Sequence, residues 1–430
     1  MKKEIKERIE AVRSSEVPEG YRRTKDIGIA PSDWKVGYLS DVLHNETRPV
    51  PKPNEPYWRL GIRSWAKGTF HAYVDDPKTV DMDELYVVRE NDLVVNITFA
   101  WEHAIAVASK EDDGLLVSHR FPTYVFDNGN VPAYYRAVVS QRFFKDMLDH
   151  ISPGGAGRNR VLNRKDFMAL PCYIPSIAEQ QKIAEILATC DRVIELKQQL
   201  LEEKHRQKQW LMQKLLVPNS GVRLPGYAGK WKQLRLRDLG SFSKGSGISN
   251  DDCSSGDCPC IKYGDIYVAY SEYFMDAVSH TEEDIFGKAP TVSDGALLFT
   301  GSGEDPKEIG KCTVYLGNEP IAVGGDIIIM KPKRTMVNPL FLAYALNAYP
   351  AIKQKACLGQ GYSIVHIYGE DIKKIGVYVP PTIEEQERIA EIIKESNSAI
   401  CLIEDEIAEW QQKKKSLMQL LLTGLVRVNA

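Results

Sequence analysis

No apolar run in the 430 residues approaches the ~18 that a membrane-spanning helix needs, and the opening MKKEIKERIEAVRSSEVPEG is charged. The expectation is a soluble, cytoplasmic protein with no membrane partner. Neither charge dominates: 55 Lys and Arg against 58 Asp and Glu leave a formal net charge of −3. That argues against nonspecific coating of nucleic acid but leaves local basic surfaces open. The eight cysteines are scattered, which suits a reducing compartment better than a disulfide framework. One cluster, CSSGDCPC, holds Cys253, Cys258 and Cys260. A zinc site needs a second ligand pair, which could come only from distant residues such as His280 or Cys312, so the cluster is read as free thiols with no metal expected.

Catalytic signatures are equally scarce. There is no phosphate-cradling Gly-Lys-Ser loop, no His-Glu-x-x-His and no nuclease carboxylate-lysine cluster. His103, His119 and His366 are dispersed and are read as structural or surface groups. The stretch FTGSGEDP, Phe299 to Pro306, has the Phe-x-Gly-x-Gly form of an S-adenosylmethionine loop. Such a loop should open a helix, yet the KEIGKCTVYLG that follows suggests another strand, and no Asn-Pro-Pro-aromatic signature is present. A turn between strands is the better account, and no catalytic residue is assigned.

What the sequence does contain is one helical sentence written twice. PSIAEQQKIAEIL begins at Pro175 and PTIEEQERIAEII at Pro381. A shift of 206 carries Glu179, Gln180 and Ile183 onto Glu385, Gln386 and Ile389, and Leu211, Met212 and Leu215 onto Leu417, Met418 and Leu421, without a gap. Ungapped register over such a length marks a long helix, because one insertion rotates every later side chain by about 100°. Pro-Ser or Pro-Thr, followed by an acid in the first turn, supplies each start; Pro218 and Gly424 supply the stops.

Heptad spacing runs through both copies. Ile389, Ile393, Ile400, Ile403, Ile407, Trp410, Leu417 and Leu421 fall on it in the second, with Ser396 and Lys414 as exceptions. Ile183, Leu187, Cys190, Ile194, Leu201, Leu211 and Leu215 do so in the first, interrupted by Lys197, Lys204 and Lys208. Two such stripes suit a coiled-coil seam. The regions before the helices echo each other faintly, as WKVGYLSDV at Trp34 and WKQLRLRDL at Trp231, and continue into short β-branched and aromatic segments broken by Gly, Pro and Asp. The expected fold is α+β: two tandem mixed α/β domains and two long antiparallel helices forming a coiled-coil spacer, with a pseudo-twofold internal repeat. The expected boundaries are an N-terminal helix and linker over 1–30, domains over 31–175 and 222–381, and helices over 176–217 and 382–424.

With its paired Pro, Glu-Gln and Ile-Ala elements and the matched endings LMQKLL and LMQLLL, the chain resembles the specificity subunits of type I restriction-modification systems. The resemblance implies a noncatalytic DNA reader in which each globular unit is a target recognition domain for one half of a split, asymmetric site. It implies two modification (methyltransferase) subunits and restriction (motor-nuclease) subunits as partners. S-adenosylmethionine, ATP and Mg are then expected on those partners and no cofactor on this chain. Two other readings stay open: a fused or stand-alone methyltransferase, which would transfer methyl groups to DNA alone, and a coiled-coil scaffold, which would leave no DNA footprint.

Arg reads guanine bidentately and Asn adenine, while cations grip phosphates. On that basis Arg59, Arg63, Lys67, Arg158, Asn159 and Arg160 are the candidate DNA contacts of the first reader, and Lys244, Lys262, Tyr263, Lys307, Lys311 and Tyr362 those of the second. The basic groups Lys204, Arg206, Lys208 and Lys413–Lys415 are read as solubilising the helices. Glu179, Gln180, Glu385 and Gln386 recur at equivalent positions and are expected on the outer helix faces, where two copies of one partner would dock.

Overall fold

The computed structural model describes residues 3–154, 160–218, 220–249, 251–253, 256–361 and 363–428. It divides into two compact units, Met1–Leu196 with Ile407–Ala430, and Lys197–Glu406. The two long helices run over Ile177–Leu215 and Ile383–Leu422, and each contributes residues to both units. Their starts follow from local chemistry. The Ser176 hydroxyl accepts from the Glu179 amide at 3.2 Å and the Thr382 hydroxyl from the Glu385 amide at 3.3 Å, each satisfying one of the amides that a helix leaves unpaired at its N-terminus.

Within each unit the helical segments pack antiparallel. In the first unit, Ile183 and Leu187 share one core with Leu421 and Leu422, and Asp191 pairs with Lys414. In the second, Leu215 shares a core with Ile389 and Ile393, and Lys197 pairs with Glu406 at 2.7 Å. Every heptad position named above is buried or partly buried, including the lysines. Those lysines stay in the seam because their ammonium groups reach acceptors at its edge: Lys208 meets Glu272 at 2.7 Å and Lys204 meets Gln207 at 3.1 Å.

The first unit holds a four-stranded sheet ordered Ile105–Val107, Leu93–Val95, Thr123–Phe126, Leu43–Glu46. Its five-stranded sheet is ordered Pro49–Pro51, Glu84–Val87, Leu116–Val117, Tyr57–Ile62, Thr69–Val74, which leaves the Thr69–Val74 strand at an edge. The second unit likewise combines a five-stranded and a four-stranded sheet, with Gly240–Lys244 at an edge of the former. The faint WK echoes acquire a common role: Lys35–Tyr38 pairs antiparallel with Pro171–Ile174, and Lys232–Arg235 with Gly376–Val379. In both cases the segment after the tryptophan is clipped to the strand that leads into a long helix. The FTGSG stretch passes from strand Leu297–Thr300 into strand Ser302–Gly303, Phe299 is fully buried, and no helix opens there.

Candidate nucleic-acid interface

Each unit carries the same polar joint where its long helix begins. Gln180 accepts from the Val131 amide at 2.9 Å, and its own amide donates to the Pro175 carbonyl and to Asn130, both at 3.0 Å. Gln386 repeats the arrangement, accepting from the Asn338 amide at 2.8 Å and donating to the Pro380 carbonyl at 3.2 Å. Val131 and Asn338 both stand at the N-cap of a short, proline-initiated helix, Pro132–Val139 or Pro339–Leu346. Each glutamine thus joins a long helix to a helix of the globular body.

The neighbouring acids complete the joint. Glu179 accepts from the Trp34 indole at 2.8 Å and from the Arg427 guanidinium at 2.8 and 3.1 Å. Glu385 accepts from Arg223 at 2.9 and 2.8 Å, and the same guanidinium donates to the Ala228 and Gly229 carbonyls. The expectation that Glu179, Gln180, Glu385 and Gln386 face outward for a partner is therefore corrected. All four are at most 4% exposed, because buried polar groups need partners and these have theirs inside their own unit.

Three candidates of the first unit, Arg59, Arg63 and Lys67, lie on the hairpin Tyr57–Ile62 and Thr69–Val74. Its inward face supplies Leu60 and Ile62 to a small core. Its turn carries Arg63 and Lys67, both exposed, and Trp65, which is 63% exposed. Lys145, from the helix Arg142–His150, stands 5.3 Å from the Trp65 ring centroid. At the far end, Trp58 and Tyr73 are cross-strand partners with ring centroids 4.9 Å apart and more than half exposed. That end runs into Glu55, Asp75 and Asp76, so positive charge gathers at the turn. Arg63 is braced there, its guanidinium donating to the Thr69 carbonyl and lying 5.3 Å from the Phe70 ring.

Other candidates of the first unit fare differently. Arg59 is half-buried in mid-strand. Arg160 is engaged within the unit: it donates to the Ser152 and Asp149 carbonyls at 3.0 Å, pairs with the Asp149 carboxylate at 2.7 Å, and covers the Trp101 ring. Arg158 and Asn159 lie outside the described residues.

In the second unit three candidates converge. Lys244, Lys262 and Tyr263 line a cleft of about 540 Å³, walled by the Lys244–Ser249 turn on one side and by Gly325 and Asp326 on another. The turn is held close by backbone: Gly245 and Ser246 donate to the Ile327 and Val323 carbonyls at 2.9 and 3.1 Å. A side chain at Gly245 would place its Cβ 2.0 Å from the Gly324 carbonyl, so only glycine fits. Lys307 is exposed on a separate loop. Lys311, also a candidate DNA contact, is partly buried; it reaches the Tyr267 carbonyl at 3.2 Å, and burial pushes its ammonium below the usual lysine range. Tyr362 lies outside the described residues.

Cys253 and Cys260 lie 3.6 Å apart, sulfur to sulfur, and burial with the neighbouring thiol pushes Cys260 up to about 12. Among the described residues no three His, Cys, Asp or Glu side chains gather as a metal ion requires, and no helix is long and apolar enough to cross a membrane. The residues that sequence reasoning passed over are Trp58, Trp65, Tyr73 and Lys145. The available signal was an RSWAKG turn that places a tryptophan between cations.

Comparison with known proteins bears on the whole arrangement. The model for the type I restriction modification DNA specificity domain matches twice, over residues 31–204 and 228–411. The chain is 24% identical to the putative type I restriction enzyme MjaX specificity subunit of Methanocaldococcus jannaschii, over 95% of this chain and 97% of that one. The MjaVIII specificity subunit of the same organism is also 24% identical, over 69% and 70% of the two chains. Among solved structures, a chain from a study of complex assembly and conformational transition of the type I R-M system covers 92% of this chain and 99% of its own at a TM-score of 0.59 and 14% identity. The type I restriction-modification S subunit from M. genitalium covers 91% and 96% at 0.55 and 14%. Two tandem matches spanning most of the sequence place the chain in the family of type I restriction-modification specificity subunits, noncatalytic proteins with paired DNA recognition domains.

Proposed function

We propose that each unit reads one half of a bipartite, asymmetric DNA site, the first through the Arg63–Lys67 turn and the second through the Lys244, Lys262 and Tyr263 cleft. The observation that carries this reading is a contrast. The Glu-Gln-Arg core of the joint recurs in both units, whereas the exposed chemistry above it differs: a cationic hairpin turn bearing an indole in one, a lysine-lined cleft in the other. Equivalent frames holding unlike surfaces suit recognition of two unlike sequences, with bases between them left unread.

The same reading places S-adenosylmethionine, ATP and Mg on partner subunits in the cytoplasm. Two modification subunits would dock on the two equivalent frames, and restriction subunits would join for cleavage. Because the recurring Glu-Gln pairs are buried, such docking would use exposed helix positions in their place.

Footprinting of the full chain on duplexes enriched from a randomised library tests the assignment. Two short protected patches separated by an indifferent gap are expected, with binding that weakens as salt rises. A single continuous patch, or protection unaffected by substitutions in either unit, would refute it. Native mass spectrometry with the modification subunit should show two copies per chain.

A further inference from the structure

The turn of the first unit's hairpin is built against the backbone's own preference. Trp65 and Ala66 both have positive φ, 65° and 49°. Successive residues of that sign usually call for Asn or Gly, since a Cβ raises the energy of the left-handed region. A bulky aromatic followed by alanine is an expensive choice. The conformation is held from outside: Trp65 donates its amide to the Glu102 carbonyl at 2.8 Å, Ala66 to the His103 carbonyl at 2.9 Å, and the Ser64 hydroxyl bonds the Glu102 carboxylate at 2.7 Å.

The product of this bracing is an indole that buries little of itself. Trp65 is 63% exposed in the turn of a hairpin whose second strand is a sheet edge, with Lys145 over its ring and exposed Lys67 two residues on. Strain maintained by surrounding bonds, in aid of an exposed apolar ring among cations, serves no packing purpose. Apolar and aromatic side chains in such settings enter duplex DNA between base pairs or stack on a base that has left the helix, while nearby cations hold the phosphates.

We propose that Trp65 is a stacking wedge: on duplex DNA the indole enters the base stack at one step of the first unit's half-site, with Lys67 held to the adjoining phosphates. The inference rests on the DNA-reading function above and adds a position and a deformation to it. Steps that unstack easily are the pyrimidine-purine ones, so the first unit's half-site should contain TA or CA/TG at the wedge. The second unit, whose cleft presents Lys244, Lys262 and Tyr263 instead, should leave its half-site stacked.

The test uses the full chain and library-enriched duplexes, with permanganate to oxidise thymines that have lost their stacking. Wild type should make one thymine in the first patch hyper-reactive. Trp65→Ala should abolish that signal and weaken binding about tenfold or more, leaving the second patch protected. Trp65→Gly and Ala66→Gly separate function from strain. Both should raise the melting temperature by relieving the left-handed backbone, but only Ala66→Gly should keep the hyper-reactive thymine and wild-type affinity. Two footprints with unaltered permanganate reactivity, or full affinity in Trp65→Ala, would overturn the wedge alone. No footprint from wild type on any enriched duplex would remove the DNA-reading function and the wedge together.

Discussion

Arg427 closes on Glu179 through two hydrogen bonds and on Asp33 through two more, at 2.7 and 2.8 Å, with its guanidinium over the Trp34 ring. The residue lies just beyond the second long helix, and its acid lies in the first turn of the other. Arg223, just beyond the first long helix, makes the matching contact with Glu385 in the second unit.

Arg427→Ala should destabilise the first unit by roughly 3 kcal/mol, because it strands a buried carboxylate. Denaturant unfolding measures this. Arg427→Ala with Glu179→Ala should cost less than the sum of the two single changes. The hydrogen bond from Arg427 also holds Asp33 below its free value of 3.8. Its contribution is therefore present above that value and fades as pH falls through the folded one, a fade that Arg427→Ala should remove.

The seam offers a gain. The Ser396 hydroxyl occupies a heptad position in the second unit and is buried without a hydrogen-bond partner. Ser396→Ala removes that uncompensated group and should raise stability by about 1 kcal/mol, read as a higher unfolding midpoint at unchanged denaturant slope.

Lys355 is 2% exposed, with the Gly310 carbonyl at 2.7 Å, and burial pushes its ammonium from 10.5 down to about 8. Below about 8 the folded chain holds a buried charge; between about 8 and 10.5 the folded form has released a proton that the unfolded form keeps, so stability gains with pH across that window. Lys355→Met should exceed wild type in stability most at pH 7. That advantage should shrink on the order of 3 kcal/mol by pH 10.5, followed by urea melts across the range.

In the second unit, Lys262→Ala should weaken DNA binding and lower the slope of log affinity against log salt by about one, the loss of a single phosphate contact. Lys311→Ala should leave that slope unchanged, since its ammonium is committed to Tyr267, and should lower thermal stability instead.

Much of the frame was legible in the amino acids. Ungapped repetition of Ile183, Leu187 and their partners at Ile389 and Ile393 fixes two long helices, because helical periodicity is local and survives without knowledge of the fold. The polar positions were harder. Glu179 and Gln180 carry the composition both of a helix start and of a docking surface, and only the approach of Trp34, Val131 and Arg427 from distant parts of the chain decides between them. Arg160 and Lys311 illustrate the same limit: a cation's sequence neighbours do not reveal which carbonyls will claim it. Trp65 escaped notice because its exposure depends on backbone angles that the composition of the turn does not suggest.

The Glu-Gln-Arg joint leaves Arg63–Lys67 and Lys244–Ser249 free of any duty in it. Substitutions that retune either loop can therefore accumulate without loosening the attachment beneath. On the DNA-reading function proposed above, one loop could then acquire a new preference while the other retains its own.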